Sequence, residues 1–295
     1  MRALVLMLLL SSLSACSGLA RQGLTGEGAS PAPWLVDRGP FPWQGERIEY
    51  VVRHAKVEMD LLHAEIEVGQ PVEASDGTRC IPLVASAQSV ALARVFVRLD
   101  DKTYTCLDEK SWEPLYAYKY LDENERQRTY HVFFWPEALY ASVERHAGKD
   151  VATKDVPLPA HTLDAISWVF MIRQQSPEKG STSVWYIYDG WIISALTLVS
   201  QGPEEIWTPL GIYETTRFDL FREKFDSHWP QGALSGVYLD PELTVDTPKA
   251  FMGNVWVTRD QRRIPVRLAL ETKLGDVELS IRSYVPPAGP ATEAD

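Results

Sequence analysis

The sequence has few basic residues, few cysteines and no long apolar run, and each shortage excludes a class of protein. Only 29 lysines and arginines stand against 40 aspartates and glutamates, which gives a formal net charge of −11. Nucleic-acid binding depends on lysine and arginine neutralising phosphates, so this acidity predicts that nucleic acid is not a partner. No segment reaches about 18 consecutive apolar residues, so the sequence predicts no membrane-spanning helix.

The usual catalytic and metal-binding motifs are also absent. Ser235, in "GALSG", stands one position too late for a nucleophile elbow. The six histidines never recur four residues apart on a predicted helix, and no glycine-rich phosphate loop follows a predicted strand. We therefore predict no catalytic residue, no metal, no cofactor and a non-enzymatic role. A hydrolase is the third alternative, and it would need a nucleophile beside a carboxylate or histidine with a perturbed pKa.

The first sixteen residues, "MRALVLMLLLSSLSAC", predict the compartment. A single arginine precedes a short apolar stretch, and Leu13-Ser14-Ala15-Cys16 resembles a bacterial lipobox. We predict that residues 1–15 are a lipoprotein signal peptide and that Cys16 is lipidated, which anchors the protein to a membrane. Ser17 follows in place of an acidic residue and indicates the periplasmic face of the outer membrane of a Gram-negative bacterium. The alternative is a plain secretory signal with an incidental cysteine.

Cys80 and Cys106 are the two cysteines that remain. In an oxidising periplasm a leftover pair favours a disulfide over a metal site. A loop of this length would be stabilised by about 3–4 kcal/mol. Two buried free thiols are the alternative.

Short alternating runs rich in valine, isoleucine, threonine and aromatics dominate the chain beyond Phe41. They follow one another every 10 to 15 residues with no helix between most of them, which favours an antiparallel sheet. One segment, residues 157–180, has apolar residues at helical spacing over more than half its circumference, with Thr162 as the predicted N-cap. We expect a mainly β fold in which a strongly curved antiparallel sheet or open β-barrel packs around one α-helix.

The predicted organisation has four parts. Residues 1–15 are the signal peptide, residues 16–40 are the lipidated cysteine and a flexible tether, and residues 41–285 are a single β-rich domain. Residues 286–295 are a disordered tail. Within the domain, residues 222–249 are predicted to be a long loop because they are poorly periodic and rich in turn-forming residues.

The stretch "VWVTRDQRRIPVRL" is predicted to be a β-hairpin whose charged centre is the connecting loop. Asp260 can accept hydrogen bonds from turn amides, and Pro265 cannot donate to a strand ladder, so it should lie at an edge or a bulge. The three arginines at 259, 262 and 263 are therefore interpreted as a solvated loop tip. A contact to an anion or a partner is the alternative.

Tryptophan, tyrosine and phenylalanine make up 11% of the chain. They either fill a large β core, since each buries about 150–250 Å², or line an apolar cavity between sheet and helix that could hold an acyl chain. If a ligand site exists, the candidate residues are Ile166, Trp168 and Phe170 of the helix and Trp185, Trp207 and Trp256 of the sheet.

Four blocks of sequence resemble the domain of unknown function 3108 family. They are "FPWQGERIEYVV", "LDAISWVFMIRQ", "IWTPLGIYETTRF" and "VWVTRDQRRIPVRLALETKLGDVELSIRSY", in the order and spacing of that family. The resemblance implies a periplasmic or lipid-anchored bacterial domain with an open, curved antiparallel sheet around a helix. It implies no catalytic residues. The length of segment 222–249 and the presence of Cys80 with Cys106 depart from the family pattern.

Two functions compete after these exclusions. The first is a non-enzymatic lipoprotein whose β domain binds an apolar, acyl or lipid-like ligand in envelope maintenance. The second is a protein–protein scaffold for envelope integrity, which would recognise a partner through the loop 222–249, the loop 259–263 or a sheet edge.

Overall fold

A computed structural model of the protein describes residues 37–54, 59–73, 77–90, 93–95, 98–124, 126–225, 250–271 and 276–287. The predicted signal peptide, Cys16 and most of the predicted tether lie outside the described residues. Residues 226–249 of the predicted long loop also lie outside them, whereas Arg222 to Phe225 belong to a strand and not to that loop. No helix among the described residues is long and apolar enough to cross a membrane.

The described chain forms fifteen strands and one α-helix. The strands are β1 (Arg47–His54), β2 (Asp60–Val68), β3 (Val72–Glu73), β4 (Arg79–Ser89), β5 (Asp100–Asp108), β6 (Pro114–Glu123), β7 (Arg126–Trp135), β8 (Tyr140–Ala147), β9 (Asp150–Pro157), β10 (Thr182–Tyr188), β11 (Ile193–Thr208), β12 (Gly211–Phe225), β13 (Ala250–Thr258), β14 (Pro265–Leu270) and β15 (Val277–Val285). The helix is α1 (Ala165–Met171), and a 3-10 turn (Ile172–Gln174) continues it.

All strands belong to one antiparallel sheet made of two consecutive blocks. The strand order is β10-β11-β12-β13-β14-β15-β1-β2-β4-β5-β6-β7-β8-β9, and the short β3 pairs with β4 outside this path. Each block runs in chain order, so most neighbours are joined directly by turns. The two blocks meet where β15 pairs with β1, from Arg47 opposite Val285 to His54 opposite Val277.

The sheet curls without closing, because β9 and β10 end the strand order and do not pair with each other along their length. The segment before the helix bridges the gap at one end. Leu158 donates its N–H to the carbonyl of Leu139 (2.8 Å), and Leu163 donates to Tyr186 (2.8 Å) and accepts from Tyr188 (2.9 Å). The prediction of a mainly β fold with an open antiparallel sheet around one helix is confirmed.

The helix begins at a different residue from the one predicted. The N-cap is Asp164, whose carboxylate accepts from the Ser167 N–H (2.9 Å), and Ser167 Oγ accepts the Asp164 N–H (3.0 Å) in return. The prediction of Thr162 as N-cap is wrong, because Leu163 is held as an extended residue against β10 and the helix can start only after it. The hydroxyl of Thr162 donates instead to the carbonyl of Pro159 (2.6 Å).

The main core lies between α1 and the concave face of the sheet. Every residue from Ile166 to Met171 is buried, in agreement with the predicted apolar circumference. Four aromatic side chains pack together on one side of the helix: Phe41, Trp43, Trp112 and Phe170. They make five ring contacts, with centroids 5.1–5.9 Å apart. A second apolar cluster packs the turn between β10 and β11 against β6–β8.

The charged stretch at residues 259–264 is the loop between β13 and β14. Asp260 Oδ1 accepts from the Thr258 hydroxyl (2.7 Å) and from the Arg263 N–H (3.2 Å), as predicted for a turn aspartate. Pro265 pairs with Val257 at a register shift, so the predicted bulge is present. Cys80 and Cys106 form a disulfide between β4 and β5, with their Cα atoms 5.4 Å apart.

Candidate functional site

An apolar cavity lies between α1 and the strands at the junction of the two sheet blocks. The cavity has a volume of about 40 Å³. This exceeds the roughly 10–15 Å³ that one water molecule requires. Nearly all the exposed area of its wall is apolar, so water gains no hydrogen bonds there. The wall is made of Tyr50, Ala64, Ile66, Trp168, Val169, Ile172, Val255, Pro265, Arg267, Leu268 and Leu279.

The positions of the wall residues follow from the directions in which side chains point along a helix and along a strand. Trp168, Val169 and Ile172 lie on one side of the helix and its 3-10 extension, while strand residues alternate toward that side. Ala64 is the smallest wall residue, and a bulkier side chain at this position would fill the space. The Tyr50 hydroxyl donates to the carbonyl of Pro265 (2.8 Å). Its polar end is thereby satisfied, and its ring contributes apolar surface.

Three indole N–H groups near the helix are buried and have no hydrogen-bond partner among the described residues: those of Trp168, Trp185 and Trp256. A buried tryptophan usually finds an acceptor for this group, and an unsatisfied donor costs about 1–3 kcal/mol. Trp168 is 5% exposed and stands in the cavity wall.

The six candidate ligand residues do not share one environment. Trp168 lines the cavity, while Ile166 and Phe170 are buried in the core beside it. Trp185 is partly buried against that core. Trp256 is buried with the Arg267 guanidinium 5.1 Å from its ring, and Trp207 is 65% exposed on β11. The structure therefore brings together the helical candidates but not all of the sheet candidates.

A buried ion pair fixes the end of the helix next to the cavity. The Arg173 guanidinium binds both carboxylate oxygens of Glu46 (2.5 and 3.0 Å) and lies 4.4 Å from the Trp43 ring. It also donates twice to the carbonyl of Arg262 (2.6 and 3.2 Å). The pair thereby ties together the N-terminal segment, the helix and the β13–β14 loop.

The sequence reasoning missed this ion pair. Two features of the sequence could have indicated it. Arg173 is the one charged residue in the largely apolar segment "AISWVFMIRQ", and Glu46 stands immediately before β1. Such residues are almost never fully buried unless they are paired. The charged loop at 259–263 is therefore more than a solvated tip: its backbone receives Arg173, and Arg263 donates to the carbonyl of Gln175 (2.5 Å).

A second group of buried polar residues lies on β5 and β6. Asp101 is buried, its Oδ1 accepts the Asp122 N–H (3.0 Å), and its Oδ2 has no partner among the described residues. Burial, and then the negative charge of Glu123, raise the pKa of Asp101 to about 8. The carboxyl is therefore neutral at pH 7, and it can donate a hydrogen bond.

This raised pKa predicts a pH dependence of stability. The folded state holds the Asp101 proton up to about pH 8, whereas the unfolded chain releases it near pH 4. The stabilisation is therefore complete below about pH 4 and is lost as the pH rises toward 8, with a slope of at most about 1.4 kcal/mol per pH unit. Urea unfolding at pH 5 to 9 should show that the wild type loses stability relative to the Asp101→Asn variant. A constant difference across this range would contradict the prediction.

Glu113 and His161 form a carboxylate–histidine pair in a smaller groove at the other end of the helix segment. Glu113 Oε1 lies 2.6 Å from His161 Nδ1. The nearby hydroxyl of Thr162 donates to Pro159 and is not directed at the imidazole. In the part of the chain that the structure describes, no three histidine, cysteine or acidic side chains are grouped closely enough to hold a metal ion.

Comparisons with known proteins find a family model and several solved structures that are similar to this chain. Residues 50–282 match the family model described as protein of unknown function DUF3108. A β-barrel-like protein of the DUF1849 family from Brucella abortus is 9% identical, with 82% of this chain and 97% of that chain covered and a TM-score of 0.46. A candidate exported protein with a YmcC-like fold from Bacteroides fragilis is 8% identical (85% and 99% covered, TM-score 0.29). A candidate lipoprotein from Parabacteroides distasonis is 10% identical (85% and 99% covered, TM-score 0.31). No curated protein matches the chain.

Proposed function

This chain belongs to the DUF3108 family, and from that premise we propose that it is a non-enzymatic, lipid-anchored envelope protein that binds an apolar ligand. The ligand would be an acyl chain or a lipid-like molecule, held between α1 and the sheet. The observation that carries this proposal is the apolar cavity beside Trp168, whose wall offers almost no polar surface.

The chemistry of the cavity selects the ligand class. An apolar site excludes charged and strongly polar molecules, because they would lose their hydration without gaining partners. An acyl chain gains about 0.8 kcal/mol for each buried methylene. The present cavity of about 40 Å³ is smaller than the roughly 300–1,000 Å³ of a typical ligand pocket, so binding of an acyl chain would require the helix and the sheet to separate.

The proposed location is the periplasmic face of the outer membrane. It rests on the lipobox that ends at Cys16 and on the serine at position 17, and similarity to proteins described as exported or as a lipoprotein supports the envelope. A membrane-tethered domain with an apolar site is well placed to receive lipids or lipid-modified chains.

The test uses residues 16–295 with Cys16→Ser, which prevents acylation, behind a cleavable secretory signal that replaces residues 1–15. The protein is exported, purified without detergent and compared by native and denaturing mass spectrometry, and binding of the methyl ester of a dansyl-labelled undecanoic acid is titrated. We expect either a co-purified apolar adduct or saturable probe binding. Ala64→Leu fills the cavity and should weaken probe binding at least about tenfold, because the ligand and the new side chain compete for one space.

Ala87→Leu is the matched control, because Ala87 pairs with Ala64 on the neighbouring strand but is absent from the cavity wall. It should retain parent affinity. Trp168→Asp, which places a charge in the wall, should abolish binding in whatever fraction remains folded. Equal probe affinity in the Ala64 and Ala87 variants, or no adduct and no probe binding by the parent, would exclude the cavity as a ligand site.

A protein–protein scaffold is the second candidate, and the open sheet favours it. The strands β9 and β10 are the two ends of the strand order, and an exposed edge can accept an added strand from a partner. Residues 150–153 of β9 are exposed along this edge. Failure of all ligand binding, together with a crosslinked partner at β9, would favour the scaffold.

A further inference from the structure

The hairpin of β11 and β12 extends past both of its neighbours. β10 pairs with β11 only as far as Val199, and β13 pairs with β12 only from Thr215 onward. Residues 203–214 therefore form a two-stranded ribbon at one end of the barrel. The ribbon is also joined to the β13–β14 loop by a backbone hydrogen bond, which the Arg259 N–H donates to the carbonyl of Glu214 (3.0 Å).

The two faces of this ribbon differ in exposure. Ile206 and Thr208 point inward and are 5% and 0% exposed, so the ribbon covers that end of the core. Trp207 and Ile212, which pair across the ladder, are 65% and 66% exposed, and Leu210 in the turn is 43% exposed. We call these three exposed side chains the apolar tip. No residue from 206 to 213 carries a charge.

This exposure is clustered. Ten large apolar side chains are exposed in the part of the chain that the structure describes, and three of them are the apolar tip. The other seven lie singly in separate elements, as exposed apolar residues do on ordinary protein surfaces. A contiguous exposed apolar group that includes tryptophan is instead characteristic of an interaction surface.

The described chain begins at the same end of the barrel. Arg38 donates to the side chain of Gln174 (3.3 Å), and the next residue, Gln175, accepts from Arg263 in the β13–β14 loop. Arg259 of that loop binds the backbone of the ribbon. Cys16 precedes Asp37, the first described residue, by 21 positions (37 − 16). A lipid anchor at Cys16 would therefore draw this end of the barrel, with its apolar tip, toward the membrane.

We propose that the apolar tip inserts into the surface of the phospholipid bilayer to which the N-terminus is anchored. Tryptophan is enriched at membrane interfaces, because its ring is apolar and its N–H can reach water or headgroups. The uncharged stretch 206–213 can enter without placing a charge in hydrocarbon. Glu205 and Glu214 pair directly behind the tip and limit the depth of insertion, while the exposed Arg259 lies where it can reach lipid phosphates.

Insertion of the tip goes beyond the proposed ligand binding and does not depend on the cavity. It gives the domain a fixed orientation on the membrane, with the barrel end near α1's C-terminus facing the lipid. The anchor alone would restrict distance but not orientation.

The experiment measures binding of residues 16–295 carrying Cys16→Ser, exported with a cleavable secretory signal in place of residues 1–15, to sucrose-loaded vesicles of phosphatidylethanolamine and phosphatidylglycerol by co-sedimentation. Without the acyl anchor, the remaining binding reports the protein surface. The variant Trp207→Ser/Leu210→Ser/Ile212→Ser should partition at least about tenfold less, since about 1.4 kcal/mol of lost apolar burial already gives a factor of ten. The matched control, Val95→Ser/Val151→Ser/Trp191→Ser, removes three exposed apolar side chains elsewhere and should bind as the parent does.

A local probe gives a second measurement. An environment-sensitive dye on Leu210→Cys should shift to the blue when vesicles are added, whereas the same dye on Val151→Cys should not. The Ala64→Leu variant should keep vesicle binding even if it loses the cavity probe, so the two proposals fail separately. Absence of parent binding, equal binding by the tip variant and the parent, or a self-associated dimer that the tip variant abolishes without any vesicle binding would overturn the proposal.

Discussion

Replacing Arg173 with methionine is expected to lower the free energy of unfolding by about 3–5 kcal/mol, because the carboxylate of Glu46 is then buried without its partner. Both side chains are completely inaccessible to solvent. The guanidinium also donates twice to the partly buried carbonyl of Arg262, so its loss removes both of these hydrogen bonds as well. Urea unfolding followed by tryptophan fluorescence at pH 7 measures the change.

Two controls isolate the buried charge in this experiment. Arg47→Met breaks an exposed pair with Glu65 and should change stability by no more than about 1 kcal/mol. The double variant Glu46→Leu/Arg173→Met removes both charges and should be more stable than Arg173→Met alone, because no ion is left in the core. A loss for Arg173→Met that is no larger than that for Arg47→Met would refute the assigned role.

Gly253→Ala is expected to destabilise the protein by about 2–6 kcal/mol, through backbone strain and overpacking together. Gly253 has a φ of +150°, and a Cβ at this position would stand 1.9 Å from the carbonyl oxygen of Ala269. The residue lies in β13 between Leu220 and Leu270 of the flanking strands, so a shift would disturb both ladders. The measurement is again the change in the urea midpoint, with the m-value checked for constancy.

Gly211→Ala is the matched control for this clash. Gly211 has a φ of +128°, but a Cβ there would meet nothing within 4 Å. The control should therefore show only the backbone term, about 1–3 kcal/mol. If both glycine variants unfold at the same urea concentration, close approach of β14 to Gly253 is not the reason for the glycine.

The strands could be predicted from the sequence because their local pattern agrees with the fold. Runs such as "ERIEYVV" alternate between the core and the outside, and the turns between them carry glycine, asparagine and charge. The helix could be predicted from its apolar circumference, but not its first residue. Thr162 has the right chemistry for a cap, and a backbone bridge that Leu163 makes to β10 prevents it from serving as one.

The cavity could be predicted only in part, since its wall joins residues that are far apart in sequence. Trp168 was a candidate because a tryptophan on a buried helix is conspicuous. Ala64, Leu268 and Leu279 carry no such signal; they become wall residues only through the pairing of β15 with β1. Asp101 follows a second aspartate, which is typical of a solvated turn, but side chains in β5 alternate between the two faces of the sheet and Asp101 is on the buried face.

The junction of β1 with β15 also determines how the chain can fold. Arg47 pairs with Val285, 238 positions later (285 − 47), so this contact closes nearly the whole described chain. Each block can assemble from local hairpins, but the junction forms only after the last strand has been synthesised. Until then β1 and β14 both present unpaired edges with apolar residues, which is the condition in which chains aggregate. A protein of this topology is therefore prone to aggregate before its synthesis is complete. A chain that lacks the nine-residue strand β15 would keep the edges of β1 and β14 unpaired permanently.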